Sequence, residues 1–176
     1  MPTTRILLAR HGETEWNRLG RWQGHADPPL NETGRSQAAA LAEQLEGDGI
    51  AAVYSSDLRR ASETARIVAG RLGLEVTEDR ALREIDVGSW QGLTKAQIDG
   101  RPWDGERYEH HSERVTRALR EIAARHPDGR VLVVSHGGSL RRVQEAVLGE
   151  PLPVVQHCTI WTCSLENGEL QLQTNP

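Results

Sequence analysis

The sequence predicts an α/β fold, a three-layer α/β/α sandwich with a mainly parallel sheet and an antiparallel edge. Short apolar runs at 6–9, 51–54 and 131–134 are typical of strands buried on both faces of a parallel sheet. Segments with apolar residues at helical spacing separate these runs, and a hairpin pattern surrounds Asn167-Gly168 near the end. The chain has 176 residues, which fits a single domain spanning residues 1–176.

The predicted elements are separated by start and stop signals. Residues that can cap a helix follow the apolar runs, and glycine or proline follows the helical patterns. In chain order we first predict a strand at 6–9, a loop over 18–27, and a helix capped by Asn31 and ended by Gly47. A strand at 51–54, a helix that follows the capping residues Ser55, Ser56 and Asp57 and ends at Gly73, a short strand at 74–77 and one helical turn at 95–98 come next. The last predicted elements are a helix through Val115 and Ile122 that ends before Pro127, a strand at 131–134, a helix over 140–147, and hairpin strands at 159–165 and 170–173.

Two predicted strands end on a histidine followed by glycine. Arg10, His11 and Gly12 follow the first strand, and His136 and Gly137 follow a later one. Because ligands of open α/β sheets bind outside the carboxyl ends of the strands, we expect these residues to meet at one edge. Arginine forks suit phosphate oxygens, and a histidine can form a covalent intermediate. The pattern therefore indicates an anion site capable of phosphoryl transfer.

Four ordered blocks, together with Gln23-Gly24 after the first of them, resemble the histidine phosphatase superfamily, which includes the cofactor-dependent phosphoglycerate mutases. The blocks lie at 8–17, 56–65, 82–92 and 135–138. In that family the histidine of the first block is phosphorylated by the substrate and then dephosphorylated by water or an acceptor. The resemblance implies a phosphoglycerate mutase-like fold and a metal-independent phosphatase without a cofactor.

The resemblance also implies roles for the matched residues. His11 would be the nucleophile, Glu84 the proton donor to the leaving oxygen, and His136 a third catalytic residue. Arg60, and not Arg59, is predicted to contact phosphate, because it directly precedes an alanine, as in the family block. The predicted phosphate-binding residues are Arg10, Asn17, Gln23, Arg60 and Gly137. Further substrate contacts are predicted for Arg83, Trp90, Trp103 and His25.

The cap segment at about 93–112 departs from the family pattern. Many relatives carry a longer helical insertion with a Gly-Glu-Ser element, which is not present here. We therefore expect a phosphomonoester hydrolase that acts on a small phosphorylated metabolite through a phosphohistidine. The alternatives are a cofactor-dependent phosphoglycerate mutase and a catalytically silent module that binds phosphate or a phosphoprotein, although the complete catalytic set disfavours the silent module.

The composition argues against several classes of binding partner and location. A net charge of −4 and a pI near 6.0 argue against nucleic-acid binding. No apolar segment suggests a signal peptide or a membrane helix, so a cytoplasmic location is expected. The chain is expected to be a monomer or a homodimer. The two cysteines lack metal-ligand spacing, and no metal site is expected. Surface or structural positions are expected for His110, His111, His126 and His157, and packing positions for Trp22 and Trp161.

Overall fold

A six-stranded sheet forms the centre of the protein in the computed structural model, which describes residues 3–150, 153, 155–166 and 168–173. The strands are β1 (Thr4–Arg10), β2 (Ile50–Ser55), β3 (Val76–Glu78), β4 (Arg130–Ser135), β5 (Ile160–Glu166) and β6 (Glu169–Gln173). They lie in the order β3-β2-β4-β1-β5-β6. The first four strands are parallel, whereas β5 runs antiparallel to β1 and β6 antiparallel to β5. The prediction of a mainly parallel sheet with an antiparallel edge is confirmed.

Helices cover both faces of the sheet. They are α1 (Glu15–Arg18), α2 (Glu32–Gln44), α3 (Arg59–Leu72), α4 (Lys95–Ile98), α5 (Tyr108–Ala124) and α6 (Gly137–Leu148). Apolar side chains of α2 and α3 pack on Leu7, Ala9, Leu132 and Val134, and those of α5 and α6 pack on Ile6, Leu8, Val131 and Val133. Alternate residues of β1 and β4 thus face opposite helical layers, which explains the continuous apolar runs at 6–9 and 131–134 within these strands.

The pairing of β1 with β4 sets the position of the sheet edge at which the two strand-His-Gly sequences lie. The two strands run in parallel register from Arg5 opposite Arg130 to Arg10 opposite Ser135. The main-chain N–H of His11 then donates to the carbonyl of Ser135 at 3.0 Å. The residues that follow the two strands therefore leave the sheet side by side.

Two glycines let the segment after β1 pack directly on the first turn of α2. A Cβ atom on Gly12 would clash with the carbonyl oxygen of Gly34, and a Cβ atom on Gly34 would clash with the carbonyl oxygen of Glu13. Asn31, the predicted N-cap of α2, accepts from the Gly34 N–H at 2.8 Å and donates its side-chain amide to Glu13 at 2.8 Å. The segment carrying His11 is therefore held by close backbone contact.

Two boundaries differ from the predictions. Helix α3 follows Leu58 as its N-cap, not the predicted capping residues, and Asp57 instead forms an ion pair with Arg83. Helix α5 begins at Tyr108, well before the first apolar residue of the predicted helix, Val115. The sequence did not predict this start because the first turns of α5 are polar and show no apolar period. The hairpin is confirmed; Gly168 has a φ of +83°, and Asn167 lies outside the described residues.

Candidate active site

A cavity of about 350 Å³ lies beyond the carboxyl ends of β1 and β4. It brings together seven residues that the sequence singled out: Arg10, His11, Asn17, Gln23, Arg60, Glu84 and Gly137. The eighth, His136, is fully buried beside it, with its ring centroid 5.2 Å from that of His11. Residues that lie up to 127 positions apart in the chain thus form one site.

The hydrogen bond of His11 determines which ring nitrogen is free to react. Its Nδ1 lies 2.7 Å from the carbonyl oxygen of Gly12. Because a carbonyl can only accept, we assign the proton to Nδ1 and the free lone pair to Nε2. Burial lowers the pKa of His11 well below its ordinary value, and the charges of Arg60 and Arg10 lower it further. The ring is therefore uncharged and nucleophilic at neutral pH.

Main-chain carbonyls fix Arg10 and Arg60, the two arginines predicted to bind phosphate. Arg60 is 1% exposed and donates to the carbonyls of Ala26 at 2.7 Å and Gly24 at 2.8 Å, and Arg10 donates to that of Val155 at 2.8 Å. Burial lowers the pKa of Arg60 to about 10 and also lowers that of Arg10, so both remain cationic at neutral pH. Within the described residues, the Nε of each is buried without a hydrogen-bond partner. Both charges are therefore oriented and available to an anion.

Thr14 orients the two neutral amides. Its main-chain N–H donates to Oδ1 of Asn17 at 3.1 Å, and its hydroxyl donates to Oε1 of Gln23 at 2.8 Å. Since each amide oxygen is used in this way, the NH₂ group of each side chain is left as a donor at the cavity. This arrangement suits oxygens of a phosphoryl group.

His136 is uncharged in this structure. Burial lowers its pKa well below the ordinary value, and the nearby Arg60 and His11 add to the effect. Neither ring nitrogen has a hydrogen-bond partner among the described residues. A cationic His136 therefore requires a bound dianion to raise its pKa, and this role stays a prediction.

Two main-chain amides hold the carboxyl group of Glu84. Oε2 accepts from the N–H of Gly138 at 2.9 Å, in the first turn of α6, and Oε1 accepts from the N–H of Ile85 at 2.9 Å. The side chain lines the cavity, in a position suited to the leaving group of a substrate.

The structure gives other contacts to the four residues predicted to touch the rest of the substrate. Arg83 forms a bidentate pair with Asp57 at 2.7 and 2.6 Å, and Nε2 of His25 lies 2.9 Å from the carbonyl of Glu84. Trp90 and Trp103 belong to an aromatic row beside the cavity, made of Trp22, Trp90, Trp103 and Tyr108, with centroids of neighbouring rings 4.9–5.4 Å apart. In the described part of the chain, none of these four predicted residues lines the cavity. Their substrate contacts stay predictions.

Sequence reasoning missed other residues at the site. Trp22, predicted to be a packing residue, is 38% exposed and lines the cavity with Arg21 and Arg141. Arg141 lies four residues after Gly137 on α6, and this spacing, which places the two residues on one helix face, was an available signal. Trp22 and Arg21 lie in a loop without periodicity, so the sequence carried no signal for either residue.

Two histidines that were expected to be surface or structural also contact the site. His111 is fully buried, and its Nε2 lies 3.8 Å from Oε1 of Glu84. Nδ1 of His157 lies 2.9 Å from the carbonyl oxygen of His11. Among the described residues, no group of three or more His, Cys, Asp or Glu is arranged to hold a metal ion. Within the same part of the chain, no helix is long and apolar enough to cross a membrane.

The chain is similar to histidine phosphatases along nearly its whole length. The family model of the histidine phosphatase superfamily (branch 1) matches residues 6–174. Phosphoglycerate mutase-like protein 4 of Arabidopsis thaliana is 43% identical over 159 residues, which cover 80% of this chain and 69% of that protein. The metal-independent phosphoserine phosphatase of the same plant is 42% identical over 159 residues, covering 80% of this chain and 67% of that protein.

A solved structure shows the same similarity. The mycobacterial glucosyl-3-phosphoglycerate phosphatase, in complex with VO3, superposes with a TM-score of 0.87 at 33% identity, covering 96% of each chain.

Proposed function

Because the chain belongs to the histidine phosphatase superfamily and is a histidine-type phosphatase of small phosphorylated metabolites, we propose that it works through a phosphohistidine on His11. The hydrogen bond from Nδ1 to the Gly12 carbonyl carries the proposal, since it leaves Nε2 free to attack phosphorus. In the first step Nε2 bonds to phosphorus while Glu84 gives its proton to the leaving oxygen, which departs as an alcohol. Water then attacks the phosphohistidine, Glu84 takes a proton from it, and phosphate leaves with His11 restored.

The fixed cations supply the charge stabilisation for both steps. Arg10 and Arg60 neutralise the non-bridging oxygens, and the amides of Asn17 and Gln23 add neutral donors. A well-placed donor of this kind contributes about 3–4 kcal/mol to transition-state stabilisation in other enzymes. A protonated His136 would be a further donor once the dianion is bound.

Trapping the intermediate tests the nucleophile. We expect His11→Ala to abolish turnover and leave the fold intact, as measured by circular dichroism. After rapid quenching with ³²P-labelled substrate, the wild type should carry an acid-labile, base-stable label on His11. A label on His136 would overturn the assignment.

We propose that turnover needs no divalent metal ion, because two arginines already face the phosphoryl group. Activity should therefore persist after dialysis against a chelator. Strong inhibition that one particular ion reverses would contradict this proposal.

The proposed acceptor is water and not a second substrate, because the cap segment has little chain with which to close the cavity. A mutase must protect its phosphohistidine from water. Between the end of α4 and the start of α5 lie only residues 99–107. With 3-phosphoglycerate, with or without 2,3-bisphosphoglycerate, free phosphate should appear well ahead of 2-phosphoglycerate. The reverse order would favour the mutase, and no product at all would favour the silent module.

We further propose that the substrate carries a second anionic group, such as a carboxylate. Among the described residues, four arginines, Arg10, Arg21, Arg60 and Arg141, line the cavity with one carboxylate, Glu84. Although Arg141 also pairs with Glu145 at 3.5 Å, a phosphoryl dianion neutralises only part of the remaining positive charge. The names of two relatives, a phosphoserine and a glucosyl-3-phosphoglycerate phosphatase, support this class.

A substitution of Arg141 tests the substrate class. We expect Arg141→Gln to raise KM for phosphoserine or 3-phosphoglycerate about tenfold or more, and to change KM for p-nitrophenyl phosphate little. Arg142→Gln is the matched control, because Arg142 stacks over Tyr108 outside the cavity. Equal effects of Arg141→Gln on all substrates would contradict the second-anion proposal.

A further inference from the structure

We propose that His111 is a positioning residue for the proton donor Glu84, acting on it through Ser139 and through contact with its carboxyl group. The inference rests on the proposed role of Glu84 and extends it to a residue on another helix. His111 is a buried titratable side chain that the mechanism described above does not use.

The imidazole lies between α6 and the acid. Nε2 of His111 is 2.9 Å from Oγ of Ser139 and 3.8 Å from Oε1 of Glu84. Ser139 follows Gly138, whose N–H binds the other oxygen of the same carboxyl group at 2.9 Å. Two consecutive residues of α6 and one of α5 therefore surround the Glu84 side chain.

The hydrogen bonds assign a direction to this contact. Oγ of Ser139 lies 3.2 Å from the carbonyl oxygen of Arg83, which can only accept. We assign the single hydroxyl proton to that bond, so that Nε2 of His111 donates to Oγ. His111 thereby supports the peptide group directly before Glu84 as well as the carboxyl group itself.

Arg114, one turn further along α5, has a separate and purely structural role in the same loop. Its guanidinium donates to the carbonyls of Ala81, Arg83 and Glu84 at 2.9, 2.7 and 2.9 Å. Arg114 thus anchors the main chain, and His111 is the residue of α5 that reaches the carboxyl group. This difference makes His111 the sharper test.

The absence of charge on His111 suits a donor that must carry a proton. Burial lowers the pKa of His111, and Arg114 and Arg142 also lower it, whereas Glu84 and Glu106 act in the opposite direction without outweighing burial. An uncharged imidazole can contact Glu84 without holding it as the carboxylate of an ion pair. Glu84 can then carry the proton that the leaving oxygen needs.

Leaving-group dependence provides the test. We expect His111→Phe to lower kcat/KM for alkyl phosphates such as phosphoserine at least tenfold more than kcat/KM for p-nitrophenyl phosphate, whose leaving group departs without a proton. This ratio reports the first step alone and so leaves out hydrolysis of the phosphohistidine, which is common to both substrates. His111→Gln keeps an N–H donor and should recover part of the loss. His110→Gln is the matched control, because His110 is the exposed neighbour on the same helix.

Other outcomes separate the possible failures. Equal losses on both substrates, or no loss on either, would overturn the inference and leave His111 a packing residue. If Glu84→Gln itself showed no leaving-group dependence, the proposed proton donor would fail first. If Glu84→Gln showed it and His111→Phe did not, only the positioning role would fail. Should His111→Phe not fold, Ser139→Ala decides, since it removes the hydroxyl link and should show the same selective loss in smaller measure.

Discussion

The carboxyl group of Glu84 lies directly on the backbone of Gly138. A Cβ atom at residue 138 would clash with that carboxyl group, so a side chain there must displace Glu84. We expect Gly138→Ala to lower kcat/KM for alkyl phosphates tenfold or more and kcat/KM for p-nitrophenyl phosphate much less. Gly70→Ala in α3 is the control, because its new Cβ atom would meet no other atom within 4 Å. A Gly138→Ala enzyme with unaltered leaving-group dependence would show that Glu84 is not the donor.

The environment of His11 predicts the acid side of the pH profile. Burial and the charges of Arg60 and Arg10 lower its pKa, so the nucleophile stays unprotonated below the ordinary histidine value of 6.5. We expect kcat/KM for p-nitrophenyl phosphate, corrected for protonation of the substrate, to stay level as pH falls through 6.5 and to decline only at lower pH. An acid limb centred at or above 6.5 would contradict this reasoning.

The sequence predicts candidate reacting side chains, whereas it does not predict which of their atoms would react. Arg10, His11 and Arg60 stand out because their positions after strands and their motif letters are local properties. The choice of Nε2 on His11 depends on the Gly12 carbonyl, and the direction of the Gln23 amide depends on the Thr14 hydroxyl. Those partners become visible only when the chain is folded.

At the level of elements, the contact between the β1 to α1 connection and α2 predicts a stability effect. A methyl group at Gly34 would clash with the Glu13 carbonyl, two residues after His11. We expect Gly34→Ala to lower the free energy of unfolding by roughly 1–3 kcal/mol, as other overpacked sites do, and to lower kcat as the segment shifts.

Unfolding in urea measures the free energy of unfolding of Gly34→Ala, and steady-state kinetics measure its kcat. Thr33→Ala serves as the control, since Thr33 is an exposed residue in the same turn and should alter neither quantity strongly. Unchanged stability and activity in Gly34→Ala would mean that the connection yields without consequence.

Strands were easier to predict than helix starts, for a physical reason. The central residues of β1 and β4 are buried on both faces and form continuous apolar runs, and β2 carries a similar apolar run that is buried over its second half. The first turns of α5 are polar, and Nε2 of the buried His111 within them pairs with Oγ of Ser139, which lies 28 positions away. The capping prediction for α3 was wrong because Asp57 pairs with Arg83, 26 positions away. Such long-range partners leave no periodic signal.

For the whole molecule, the buried histidines predict how stability depends on pH. Burial lowers the pKa of four of them in the folded state, namely His11, His111, His136 and His157. The unfolded chain binds protons at these residues near pH 6.5 and the folded chain does not, so the free energy of unfolding should fall as pH drops below 6.5. Each group adds a slope of up to about 1.4 kcal/mol per pH unit, with less from the half-buried His157.

Unfolding in urea at a series of pH values from 5 to 8 measures this slope. His111→Gln should make it shallower, because one of the four groups is removed. A free energy of unfolding that stays constant or rises as the solution is acidified would contradict the burial of uncharged imidazoles.

The aromatic row gives the protein an optical readout of its own cavity. Trp22 lines the cavity and packs in a T-shaped arrangement with Trp90, which packs in the same way with Trp103. Excitation energy passes readily between indoles at such separations, so quenching at Trp22 would lower the fluorescence of Trp90 and Trp103 as well. Vanadate or a phosphate ester that enters the cavity should therefore change the ultraviolet emission of the unlabelled enzyme, and Trp22→Leu should remove most of that signal.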